Sequence, residues 1–273
     1  MTIRLRTGCE FEYQAEWATP GVFMVAPHPD ARHAVVRETW QSHPPLIGHE
    51  YADLYANRCR RLILPVGTSS LRYDATVEVS GEPDVVMPDA RQLPIEELPD
   101  DALIYTLASR YCLSDALSGT AWRLFGQTQP GWARVQAICD WLNANIAYGL
   151  QSTPLTTAVD VFVAGGGMCR DFAHLAVTFC RALNIPARYV FGYMPDISLE
   201  PPYPTMDFHA WFEVYLEAEG AGRWFTFDAR FNRPLIGRVP VGRGRDAVDV
   251  PMVTTYGAAQ FRRMVVWCDE QTD

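Results

Sequence analysis

Four prolines crowded into one stretch, Pro83, Pro88, Pro94 and Pro99, constrain this 273-residue chain more than any other feature. Proline removes a backbone donor and fixes φ, so it denies both a helix interior and a central strand. Residues 83–100 therefore read as a linker, and the patterns on its two sides differ. Before it, Ile3, Leu5, Phe11 and Tyr13 alternate with polar residues, 61–66 is a short apolar run, and Tyr73, Ala75, Val77 and Val79 alternate again. Residues 1–82 are expected to form an antiparallel β module. After the linker come four helical patterns. Asp100 or Asp101 can cap a helix with Leu103, Ile104, Leu107 and Tyr111 on its apolar face. A second follows Pro130-Gly131 with a stripe of Trp132, Val135, Ile138, Leu142 and Ile146. A third starts near Thr156 or Thr157 and stops at Gly165-Gly166-Gly167, and a fourth starts at Cys169, buries Phe172, Ala176, Phe179 and Leu183, and ends before Pro186. Strand patterns then occupy 187–193, 209–216 and 223–228. Helices first and strands afterwards imply an α+β fold with an antiparallel sheet, residues 101–273 forming one unit that includes the C-terminal strands.

Composition excludes several chemistries. All 23 basic residues are arginine, so the chain has no lysine to hold a phosphate or to form a Schiff base. The net charge of -9 and the absence of a basic cluster argue against a nucleic-acid partner; Gly242-Arg243-Gly244-Arg245 is expected to be only a short basic turn. No apolar run approaches the ~20 residues of a membrane span, so no membrane partner is expected. Seven scattered cysteines read as reduced thiols and point to a cytoplasmic location. His28 and His33 lack metal-ligand spacing, and neither a metal nor a cofactor is expected.

Cys169 differs from the other six cysteines, which fall within helix or strand patterns and read as buried. It follows three glycines and Met168 and opens an amphipathic helix, where the positive end of the dipole stabilises a thiolate. The glycines would let a substrate backbone approach. Asp171, in the first turn, reads as a carboxylate compensating the dipole, and His174 as a helix-surface or packing residue. A thiolate nucleophile needs a base. One hairpin register pairs Leu216 with Ala221 across a four-residue loop, 217–220, and sets His209 directly opposite Asp228 on one face of the sheet. A carboxylate there would orient the imidazole and support its charged form.

The blocks Gly167-Met168-Cys169-Arg170-Asp171-Phe172-Ala173, Ile185-Pro186-Ala187-Arg188-Tyr189-Val190-Phe191-Gly192-Tyr193, His209-Ala210-Trp211 and Trp224-Phe225-Thr226-Phe227-Asp228 resemble the transglutaminase-like superfamily in its bacterial cysteine-protease branch. The resemblance is strongest over residues 130–235. It implies a papain-like core in which Cys169 attacks an amide carbonyl, His209 is base and then acid, and Asp228 orients His209. It also implies an oxyanion hole whose first donor is the Cys169 backbone N–H, with Gln151 and Tyr148 as candidates for the second. The expected activity is hydrolysis of a peptide or protein substrate through a thioester, with transfer to a primary-amine acceptor as the alternative within the family. A non-catalytic binding or scaffold protein on the same fold is the alternative of another class. Ala229 and Arg230 depart from the Pro and small polar residue common after the family's aspartate.

Overall fold

The computed structural model describes residues 1–29, 32–150, 152–199 and 205–271. The N-terminal strands are β1 (Thr2–Ala15), β2 (Thr19–Phe23), β3 (His33–His43), β4 (His49–Ala52), β5 (Arg58–Leu64) and β6 (Gly67–Ser80). Alternation accounts for them: along β6 every second side chain, from Leu71 through Tyr73, Ala75 and Val77 to Val79, is buried, and its neighbours face outward. The helices are α1 (Asp100–Leu103), α2 (Ser118–Phe125), α3 (Trp132–Asn145), α4 (Ala158–Ala164) and α5 (Cys169–Ala182). Two-residue strands β7 (Ala147–Tyr148) and β8 (Gly166–Gly167) flank α4. Strands β9 (Ala187–Tyr193), β10 (His209–Ala218), β11 (Ala221–Phe227), β12 (Val239–Gly244), β13 (Val253–Thr255) and β14 (Ala259–Glu270) complete the chain. The α+β expectation holds, with helices packed on antiparallel sheet and a β-rich N-terminal region.

The central sheet has the order β11-β10-β9-β12. One hydrophobic core, including Val135, Ile138, Leu142, Phe179, Phe212 and Leu216, joins it to the helices. A second core joins Phe11, Phe23, Leu64 and Tyr73 of the N-terminal strands to Tyr189, Tyr193 and Val241 of the same sheet. With a core on either side, His209 to Val214 of β10 are buried without a break.

Several expectations need correction. Of the C-terminal strands, β12 joins the central sheet, whereas β14 pairs with β1 along its length and β13 pairs with β2. The expected helix from Asp100 to Tyr111 stops at Leu103, turns once as a 3₁₀ segment over Ile104–Thr106, and continues extended, with Leu107 exposed; α2 follows as a separate helix. Gly242, Arg243 and Gly244 are strand rather than turn, and Arg243 is buried against Glu213 at 3.0 Å. The linker is strapped down: Ala90 accepts the Trp132 N–H, and Arg91 bridges Glu217 through the backbone.

Candidate active site

Three glycines and one carboxylate build the entry to α5. Gly165 takes φ 68° as the left-handed cap of α4, a conformation that disfavours other residues. Gly166 and Gly167 then pair with Ala147 and Tyr148. A Cβ on Gly167 would lie 2.7 Å from the Asp171 Cβ, so the glycine is small because Asp171 reaches back to accept the Met168 N–H at 2.8 Å. Gly166 and Gly167 leave room for the chain's own neighbours, Leu150 and Asp171. Asp171 thus fixes the helix start as well as offsetting its dipole. Gly167→Ala is expected to cost about 1–3 kcal/mol by crowding this contact, read as a fall in the thermal melting midpoint. The first intrahelical donors are the Asp171 and Phe172 N–H groups, both to Met168 O, so the Cys169 N–H lies ahead of the hydrogen-bonded turn.

The hairpin positions His209 and Asp228, in a register different from the expected one. Ala218 pairs with Ala221 across a two-residue turn in which Glu219 and Gly220 both have positive φ, the geometry whose twist suits a tight hairpin. The ladder ends at Phe212 with Phe227. Relative to the expected pairing the register moves by two residues, which preserves side-chain faces. His209 and Asp228 therefore still meet just beyond the ladder, with His209 Nε2 2.7 Å from Asp228 Oδ2 and both residues buried. On its other side His209 pairs with Gly192 of β9.

Asp228 is fully engaged. Its Oδ1 accepts the backbone N–H groups of Arg230 at 3.0 Å and Phe231 at 3.1 Å. Its Oδ2 also accepts Arg238 Nη2 at 2.9 Å, while Arg238 Nε donates to Asp84 Oδ2 at 2.9 Å. The Arg238 guanidinium lies 4.9 Å from the Trp211 ring centroid. Burial raises the Asp228 carboxyl, but His209 and Arg238 outweigh it and hold the group well below the usual carboxylate range. Burial likewise opposes a charged His209, yet Asp228 and Cys169 leave its imidazole raised. Burial pushes the Cys169 thiol up, and interaction with His209, the Ala210 backbone and Arg230 brings it below its ordinary value. The remaining cysteines with a resolved shift, Cys9, Cys59, Cys112, Cys139, Cys180 and Cys268, are all raised, chiefly by burial.

Half-buried Cys169 and buried His209 line one cleft of about 560 Å³, open to solvent, with Tyr148, Met168, Met194, Met206 and Arg230 among its other walls. Of the two side chains considered as oxyanion donors, Tyr148 lines this cleft and Gln151 lies outside the described residues. His174 is fully buried rather than at the helix surface, stacked on Tyr111, with Nε2 accepting the Ala247 N–H; burial pushes its imidazole down to about 3.

Residues 120–229 match the family model described as the transglutaminase-like superfamily. Over its whole length the chain superposes on a solved structure of a presumed cysteine protease from Cytophaga hutchinsonii, with TM-score 0.88 and 32% identity, covering 92% of that protein. The chain belongs to the transglutaminase-like superfamily, in its cysteine-protease-like branch. It carries that superfamily's general catalytic fold. An uncharacterized protein of Mycobacterium tuberculosis (strain ATCC 25618 / H37Rv) is 30% identical over 205 residues, 68% of this chain and 64% of the relative. An uncharacterized protein of Mycobacterium leprae is 29% identical over 120 residues, 42% and 41% of the two chains. The chain thus spans less than two thirds of the length of these mycobacterial relatives.

Sequence reading missed Asp84, Arg230 and Arg238. In this transglutaminase-like protein the partly buried pair Asp84–Arg238 comes from the linker and from the segment before β12, and no spacing rule joins such distant positions. The cation of Arg238 shares the carboxylate that supports His209, so its charge opposes the imidazolium. Arg238→Gln is expected to raise the pH at which His209 loses its proton, followed by NMR of the imidazole ring. An unmoved titration would reduce Arg238 to a packing role.

Proposed function

We propose that this protein is a cysteine-dependent amide hydrolase acting on peptide or protein substrates. The observation that carries the reading is the 2.7 Å contact between buried His209 and Asp228, set in the cleft that also holds Cys169 at the start of α5. His209 uses Nε2 for Asp228, which leaves Nδ1 for the sulfur and fixes the tautomer. The Cys169 thiolate adds to the substrate carbonyl carbon, and the oxyanion is held by the Cys169 N–H. The imidazolium gives its proton to the leaving nitrogen, the C–N bond breaks, and a thioester on Cys169 remains. Water then attacks the thioester, His209 takes its proton, and the acid product leaves as the sulfur recovers its electron pair. The free cysteines support action in a reducing compartment such as the cytoplasm.

Purified protein and its Cys169→Ala variant, given a glutamine-containing protein and a fluorescent primary amine, separate the outcomes. Cys169-dependent peptide cleavage or deamidation without amine incorporation is the expected result. Incorporation of the amine would make the protein a transglutaminase, and silence in all channels together with an unreactive Cys169 would favour a scaffold.

A further inference from the structure

Among the described residues Arg230 stands in the cleft without a counter-ion. Its guanidinium lies 3.7 Å from the Tyr148 ring centroid and 4.4 Å from that of Phe231. Its backbone is anchored at both ends, the N–H to Asp228 Oδ1 and the carbonyl accepting from Asn143 Nδ2 at 2.7 Å. Among the described residues no carboxylate lies within ion-pairing distance of it, whereas Arg188, Arg238, Arg243 and Arg245 all have acidic partners. An arginine held by aromatic faces keeps its N–H fork free, already oriented and partly dehydrated, and that fork matches a carboxylate. Asp196 and Asp207 line the same cleft. Arg230 is the guanidinium on that cleft wall, and its stacked fork is the group there that can receive an anion.

We infer that Arg230 is a specificity subsite that receives a carboxylate on the substrate beside the scissile amide. The inference rests on the reading of Cys169 as the nucleophile and narrows its substrates to acidic peptides, the carboxylate being either a free C-terminus or an acidic side chain.

Iodoacetate and iodoacetamide are close in size and differ in charge, so their relative rates of alkylating Cys169 report the subsite without a known substrate. Taking the ratio cancels any change in thiolate content. Arg230→Gln is expected to lower the iodoacetate-to-iodoacetamide ratio about tenfold, the scale of one charge-assisted hydrogen bond, with Arg230→Lys in between. The same ratio in all three proteins, with Cys169 still reacting fast, would overturn the subsite and leave the nucleophile standing. Slow alkylation of Cys169 by both reagents in the unaltered protein would instead overturn the underlying reading. Protection of Cys169 by matched peptides then locates the carboxylate. Arg230-dependent protection by a free C-terminus points to an α-carboxylate, and by a C-amidated peptide with an internal Glu to a side chain. Equal protection by a neutral C-amidated peptide would count against the subsite.

Discussion

His209→Ala is expected to abolish turnover, by about 10⁶-fold in kcat, the scale seen when the base of a nucleophile–base pair is removed. Two effects combine. The imidazole that accepts and returns the proton is gone, and the thiol loses the partner that outweighs its burial, so it rises from its lowered position. Fast alkylation of Cys169 near neutral pH should disappear together with activity. The fold should persist, because Asp228 keeps Arg238 and two backbone donors. Wild-type activity in this variant would remove His209 from the mechanism.

Asp228→Ala should act on stability as well as on rate. It leaves the buried Arg238 without one of its two carboxylates and frees the Arg230 and Phe231 N–H groups. Breaking a buried ion pair from one side costs about 3–5 kcal/mol, and for a chain of this size that lowers the melting temperature by roughly 10 °C. The sign of the pH dependence follows from the depressed carboxyl. Its stabilisation is fully present above the ordinary value of 3.8 and is lost as pH falls through its lower folded value. The stability gap between wild type and Asp228→Ala should therefore narrow in acid, and it should also shrink as pH rises through the raised titration of His209, whose charged form Asp228 supports. A second substitution, Arg238→Met, should recover part of the stability without restoring activity, which separates the structural cost from the orienting role. Only a small residual activity is expected in Asp228→Ala, since the imidazole can still adopt a productive tautomer part of the time. Full activity there would refute an orienting role for the carboxylate.

Much of this was legible in the sequence because the signals are local. The stripe from Trp132, the Thr157 cap with its partner Asp160, and Cys169 at a helix start all depend on neighbours within a turn or two. The hairpin was legible through parity: the turn at Glu219-Gly220 moved the register by two residues, and a shift of two keeps His209 and Asp228 on the same face. Contacts between distant segments carried no such pattern. The pairing of β14 with β1 depends on two strands at opposite ends of the chain. The Asp84–Arg238–Asp228 chain is specified only by the cost of leaving a buried guanidinium unpaired. The placement of Arg230 depends on two aromatic rings, only one of them its neighbour in sequence.

The central claim is that one thiol of seven is activated, and stoichiometric iodoacetamide at about pH 6 tests it directly, since ordinary thiols with pKa near 8.5 are almost fully protonated there. Mass spectrometry of the intact and digested protein should find one fast label, on Cys169, absent from His209→Ala. Labelling of Cys169 no faster than that of an unactivated thiol would contradict the account.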